Sequence, residues 1–246
     1  MTDQPRSGNR LLDRLPEQDW QRMRPHFEPV ELPLAKVLFE GDEPYRRLYF
    51  PTDGIVSVVA VFESGATAEM ATVGREGMVG AGAILSSDTA LGRHLVQVPG
   101  AGLMIGYADF RRLEREFPAL RRVLLAYGQA FLIQVLQSVA CNGVHSVEER
   151  AARWLLMCHD RSHGDTFLLT QEFLAEMLGV SRPAVSTVAR TLQRAGLIRY
   201  SRGVMTVEDR PGLEEASCEC YRIISREYGL RMGALTDDAT QARGAS

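Results

Sequence analysis

Three features of this 246-residue chain predict an α+β fold. Short apolar runs broken by glycine turns fill the first hundred residues, a nearly all-apolar helix follows, and two helices joined by a glycine turn lead into a β-hairpin. This order predicts an N-terminal antiparallel β-roll of the jelly-roll kind, a long dimerisation helix and a C-terminal winged helix-turn-helix. The expected domains are 10–116 for the roll with its flanking helices, 117–143 for the dimerisation helix, 144–232 for the winged domain and 233–246 for a disordered tail.

Taken in order, 11–22 reads as one short helix with Leu11, Leu12, Leu15 and Trp20 as apolar anchors against the roll. Strands are expected at 36–39, 47–50, 55–62, 67–73, 94–98 and 102–105, because turn pairs such as Gly41-Asp42, Asp53-Gly54 and Ser64-Gly65 punctuate apolar alternation. The cluster Gly74, Gly77, Gly80 and Gly82 is not followed by Gly-Lys-Ser/Thr, so it reads as turn glycine rather than a phosphate-binding loop. A helix is expected over 108–116, and after Pro118 a long one runs to about residue 142. It offers so little polar surface that it must be covered on most sides. Leu120, Leu124, Tyr127, Phe131, Val135 and Ser138 step by three and four, the spacing of a two-stranded coiled-coil seam, and are the expected dimer contacts. Asn142-Gly143 then interrupts the helix, and Ser146 with Glu149 forms a capping box that opens another through Cys158, which makes this stretch the expected hinge.

The segment 170–200 carries the most specific pattern. Phe173, Leu174, Met177 and Leu178 form one helical stripe with Thr170 as N-cap, small Ala175 lets a second helix cross closely, and Gly179 supplies a left-handed helix end. Ser181 is expected to cap the second helix with its hydroxyl, and Pro183 fits only because it falls in the first turn. Val185, Val188, Ala189 and Leu192 lie on one side of that helix and Arg182, Ser186 and Arg190 on the other, with Pro183 and Thr187 beside them. From Met177 to Val207 there are five arginines and no acidic residue, in a chain of net charge −3, a local basic patch suited to phosphate. The hairpin beyond places Arg202 at a wing tip, within reach of a phosphate. The expected DNA-binding residues are Thr170, Gln171, Ser181, Arg182, Pro183, Ser186, Thr187, Arg190 and Arg202.

No uninterrupted apolar run approaches the ~20 residues of a membrane span, and the first ten residues lack the apolar core of a secretory signal, so a cytoplasmic protein is expected. Cys141, Cys158, Cys218 and Cys220 show no Cys-x-x-Cys spacing and are expected as reduced, packed thiols. Cys218 and Cys220 lie two apart on an expected helix, which would make their side chains diverge, and no metal ligand is assigned. The roll has no His-x-His or His-x-Asp pair for a metal-dependent oxygenase, and no nucleophile set can be assembled, so no enzyme activity is expected.

The order of parts, with LTQEFLAEMLGVSRPAVSTVARTLQRAGLI in the helix-turn-helix and FEGDEPYRRLYFPTDGIVSVV and VGREGMVGAG in the roll, resembles the Crp/Fnr family of bacterial transcription regulators over nearly the whole chain. The resemblance implies a cyclic-nucleotide-binding-like roll and a homodimer that binds palindromic promoter DNA and contacts RNA polymerase. Members that bind cyclic AMP hold it with Gly-Glu and, about ten residues later, Arg-Ser-Ala. Here the corresponding steps are Gly80-Ala81 and Gly92-Arg93-His94, with Arg93 one residue out of register and so on the other strand face. Cyclic AMP is therefore not expected. Gly80, Ala81, Arg93 and Val135 define a candidate pocket for an unidentified effector. The family's iron–sulfur branch uses N-terminal cysteines, whereas this chain has none before Cys141, and the single His26 and His94 are not assigned as haem ligands. In the recognition helix Arg182 matches the family's first arginine, but Pro183 replaces a glutamate and Thr187 a second arginine, so the best-known DNA sequence does not transfer. The alternative function is a ligand-binding or protein-interaction module whose winged helix contacts protein.

Overall fold

The computed structural model describes residues 7–233, so the expected tail lies outside the described residues from 234 onward. Pro16 is extended and splits the predicted first helix into a 3-10 turn, Leu12–Arg14, and α1, Glu17–Met23. Leu11, Leu12, Leu15 and Trp20 are buried, as anchors should be. The strands are β1 Glu28–Leu32, β2 Val37–Phe39, β3 Arg47–Pro51, β4 Ile55–Val61, β5 Thr67–Val73, β6 Arg93–Val98 and β7 Gly100–Gly106. They form two antiparallel sheets, ordered β1-β7-β3 and β2-β6-β4-β5, whose buried Leu48, Phe50, Ile55, Val56, Val96 and Ile105 build the roll's core. Strand β1 escaped the sequence reading. Its Glu-Pro-Val-Glu-Leu is acidic and carries a proline that only an edge strand accepts, and β1 is an edge.

Helix α2, Tyr107–Glu116, leads through Phe117 into α3, Pro118–Val144, about 40 Å long at 1.5 Å per residue. Helix α3 runs through Asn142 and Gly143 instead of breaking there. The break falls at extended His145, because Ser146 begins the next helix, α4 Val147–His159. Both capping-box bonds form: Ser146 N–H donates to Glu149 Oε2 at 2.8 Å and Glu149 N–H to Ser146 Oγ at 3.3 Å.

The predicted dimer seam requires correction. Leu120, Leu124, Tyr127 and Ser138 are buried within the chain, and Phe131 and Val135 are partly buried against its core. Tyr127 lies over Gly77, where an added Cβ would fall 2.3 Å from its ring, and its hydroxyl donates to Met78 O at 3.2 Å. On the same face Gln134 Nε2 donates to Thr72 O at 3.0 Å. This stripe docks α3 on the roll. The exposed stripe is Leu125, Leu132, Leu136 and Val139, at 51%, 52%, 59% and 67% exposure, with Gln129 and Gly143 completing a second three-and-four seam. By length and composition α3 is also long and apolar enough to cross a bilayer.

The C-terminal unit adds β8 Thr166–Leu168, α5 Gln171–Leu178, α6 Arg182–Arg194, β9 Ile198–Ser201, β10 Val204–Val207, α7 Arg210–Ala216 and α8 Glu219–Met232. Its sheet runs β8-β10-β9, one strand more than the predicted hairpin. Helix α8 returns to pack along α3.

Candidate nucleic-acid interface

Helices α5 and α6 form where the capping residues place them. Thr170 Oγ1 accepts Phe173 N–H at 3.1 Å, and Gly179 closes α5 in the left-handed region at φ 63° with its N–H turned back to α5 carbonyls. Ser181 is the N-cap residue of α6 by backbone conformation, but its hydroxyl makes no capping bond, contrary to expectation. Pro183 in the first turn presets the helical φ without removing an intrahelical bond. Val185, Ala189 and Leu192 are buried against α5 and the wing, which turns Arg182, Pro183, Thr187 and Arg190 outward.

Gln171, Arg182, Pro183, Ser186, Thr187 and Arg190 line one open depression, so six of the nine predicted contacts share a surface. Within it Ser186 donates to Gln171 Oε1 at 2.7 Å, locking the start of α5 to α6. Thr187 Oγ1 donates to Pro183 O at 3.1 Å and accepts Arg190 Nη2 at 3.3 Å. These hydroxyl protons are spent inside the helix pair, leaving the arginines as the groups free to donate outward. In the wing, Arg202 and Gly203 both have positive φ, 51° and 78°, the two-residue turn that suits a twisted hairpin, with Arg202 exposed at its tip. One of the five arginines is neutralised locally: Arg199 Nε donates to Glu208 Oε1 at 2.6 Å. The tip of the β4–β5 hairpin, Gly65 to Thr67, faces the α5–α6 turn across a second open groove that Arg182 also lines.

Among the described residues, two buried joints built on acidic side chains connect the roll to this unit, and the sequence reading found neither. Arg161, just beyond α4, donates Nε to Glu76 Oε1 at 2.7 Å, Nη1 to Met157 O at 2.8 Å and Nη2 to Gln134 Oε1 at 3.2 Å. Burial opposes its charge, and the Glu76 carboxylate, together with Tyr228 and Asp160, more than restores it. The second joint sets Glu69 of β5 against α4: Trp154 Nε1 donates to Oε2 at 2.6 Å, and Oε1 lies 2.7 Å from Ser57 Oγ. Burial pushes the Glu69 carboxyl up to about 7, against the lowering pull of its Ser57 and Trp154 bonds. The single Ser57 proton also faces Gln97 Oε1 at 2.6 Å, so a proton on Glu69 completes the set. A group whose folded pKa is raised contributes stability that is full below its unfolded value of 4.5 and lost as pH rises through about 7. Thermal unfolding measured from about pH 5 to about pH 8 should therefore show the wild type losing stability relative to Glu69→Gln. Parallel curves would refute a proton at this joint.

The residues of the predicted effector pocket lie on three elements: Gly80 and Ala81 at a 3-10 turn, Arg93 on β6 and Val135 on α3. Arg93 lies on the outward side of β6 and is held by Glu40 Oε2 at 2.8 Å, while its buried neighbour His94 faces inward, edge-on to Phe39. Gly80, at φ 99°, begins a 3-10 turn from Ala81, and a Cβ there would meet Leu48 at 2.5 Å and Tyr45 at 3.3 Å. Side chains of the roll fill the space beside that turn. Val135 sits half-buried on α3, in the stripe that docks on the roll.

The expected divergence of Cys218 and Cys220 does not occur. Cys218 is the extended N-cap of α8, at φ −73° and ψ 161°, so helical spacing does not govern the pair. Both thiols meet Cys141 and His145 in one cluster.

Residues 149–216 match the Crp-like helix-turn-helix domain. No curated protein matches the chain. Among solved structures, the fold is similar to the c-di-GMP-responsive global regulator CLP of Xanthomonas campestris, with TM-score 0.63, 19% identity, and coverage of 78% of this chain and 99% of that one. It is also similar to FixK2 from Bradyrhizobium japonicum, with TM-score 0.65, 14% identity, and 78% and 98% coverage. A putative Crp/Fnr-family transcriptional regulator from Eubacterium rectale gives TM-score 0.60 and 16% identity, covering 84% of this chain and 96% of that one.

Proposed function

We propose that this chain, which carries a Crp-like helix-turn-helix domain on the fold of Crp/Fnr regulators, is a cytoplasmic transcription regulator that binds palindromic promoter DNA as a homodimer. The observation that carries this reading is the outer face of α6, where Arg182 and Arg190 project from a rigid helix pair over one depression, with Arg202 at a wing tip. No acidic residue falls between Met177 and Val207 to compete with phosphate for these arginines. In this reading Arg182 meets a base edge at the helix N-terminus. Arg190 and Arg202 bind phosphate, while Ser186 positions Gln171. Thr170, Ser181, Pro183 and Thr187 shape the remaining contact.

The homodimer is proposed along the exposed stripe Leu125, Gln129, Leu132, Leu136, Val139 and Gly143. Its seven-residue repeat matches itself across a two-fold axis, which fits a second copy of the chain. Two α6 helices would then read two half-sites. Contact with RNA polymerase follows by analogy with Crp/Fnr regulators. No part of this reading assigns a catalytic step.

Selection of bound sequences from a random DNA pool tests the proposal. A palindrome is expected, and absence of salt-dependent DNA retention would instead favour a module that binds protein. Arg182→Ala should weaken specific binding by about 1–3 kcal/mol and relax preference at one base pair per half-site. An unchanged site preference would remove Arg182 from base reading.

A further inference from the structure

We propose that Cys141, His145, Cys218 and Cys220 form a binding site for a thiophilic divalent cation of the zinc class, joining the end of α3 to the start of α8. The ligand atoms of all four lie within 4.8 Å of one another. Cys141 Sγ and Cys218 Sγ are 3.5 Å apart, and Cys220 Sγ and His145 Nδ1 are 3.6 Å apart. Zinc bond lengths of about 2.3 Å to sulfur and about 2.0 Å to nitrogen require tetrahedral edges of roughly 3.8 Å and 3.6 Å, so a central ion needs only small adjustments.

The surroundings suit that chemistry. His145 turns Nδ1 to the thiols and Nε2 to the Glu219 carboxylate at 3.2 Å, the outer contact that fixes the tautomer of a metal-bound histidine. Gln137 Nε2 donates to Cys220 Sγ at 3.1 Å, a bond that favours thiolate. The three thiols are buried as a cluster separate from the main core, so apolar packing with the rest of the protein does not account for their meeting. Three sulfurs and one imidazole select zinc over harder cations.

The position gives the site a consequence. Cys141 lies in the last turn of α3 and His145 is the break at which α3 hands over to the winged domain, while Cys218 and Cys220 open the helix that returns along α3. A bound ion would fix that junction. The consequence for DNA affinity rests on the DNA-binding reading, whereas the site itself does not.

The test is a titration of reduced, full-length protein with Co²⁺ and Zn²⁺. One equivalent of Co²⁺ should give the intense visible bands of tetrahedral cobalt thiolate, and Zn²⁺ should abolish them. Cys141→Ser, Cys220→Ser and His145→Gln should lose the signal, and Glu219→Ala, which removes the outer contact, should weaken binding about 10–100-fold, whereas Cys158→Ser, a buried thiol outside the cluster, should retain it. Circular dichroism checks that each variant folds. Absence of tetrahedral bands in the reduced wild type overturns the site, as does a spectrum unchanged by Cys220→Ser. DNA affinity is measured separately with and without zinc. A shift of fivefold or more, roughly 1 kcal/mol, supports a regulatory role, and equal affinities overturn that role while leaving the site standing.

Discussion

Glu76→Ala is expected to lower the free energy of unfolding by about 3–5 kcal/mol, because it strands the Arg161 guanidinium in the interior. Arg161 is 0% exposed and Glu76 1%, so bulk water does not screen the charge left behind. The remaining hydrogen-bond partners, Met157 O and Gln134 Oε1, are neutral, and with the Tyr228 ring beside the guanidinium they compensate part of the charge only. Arg161→Met alone, which leaves the Glu76 carboxylate without its guanidinium, should also destabilise. The double variant Glu76→Met, Arg161→Met should recover much of the loss, as buried pairs replaced by apolar groups commonly do. Denaturant unfolding of the three variants measures this directly. If Glu76→Ala changes stability by less than about 1 kcal/mol, the pair does not hold the joint between roll, α3 and α4.

Leu132→Glu combined with Leu136→Glu should convert the protein to a monomer and lower affinity for a palindromic site by about 10²–10⁴-fold, the advantage that linked half-sites normally confer. Both leucines are more than half exposed in the single chain, at 52% and 59%, so the chain should still fold with a near-normal melting temperature. Affinity for an isolated half-site should stay unchanged, which separates loss of pairing from damage to α6. Sedimentation reads the first effect and DNA titration the second. A dimer that survives both substitutions would move the interface away from this stripe.

The two seams of α3 mark where the sequence stops being informative. Leu120, Leu124, Tyr127, Phe131, Val135 and Ser138 repeat by three and four, and so do Leu125, Gln129, Leu132, Leu136, Val139 and Gly143. Apolar periodicity says that a helix face is covered but not by what. The roll decides, since Gly77 leaves room for the Tyr127 ring and Thr72 offers Gln134 a carbonyl. The helix-turn-helix was legible because each local rule points the same way: Thr170 caps, Gly179 turns, and Pro183 falls in a first turn. The expected end of α3 at Asn142-Gly143 falls short of the observed one at Val144, because Asn-Gly looks like a terminator, whereas the capping box at Ser146, also legible in the sequence, sets the end.

By itself the sequence determined the order of roll, long helix and winged helix-turn-helix, and the cationic outer face of α6, because these depend on near-neighbour periodicity, capping and charge. Only the tertiary structure decided which side of α3 is free, that Arg161 meets Glu76 across 85 positions, and that Cys141 meets Cys218 across 77. Such contacts arise from the packing of one element on another, which carries no local signature along the chain. That Cys218 caps α8 from outside the helix, letting Cys220 join it in one cluster, is a matter of backbone dihedrals that spacing alone does not reveal.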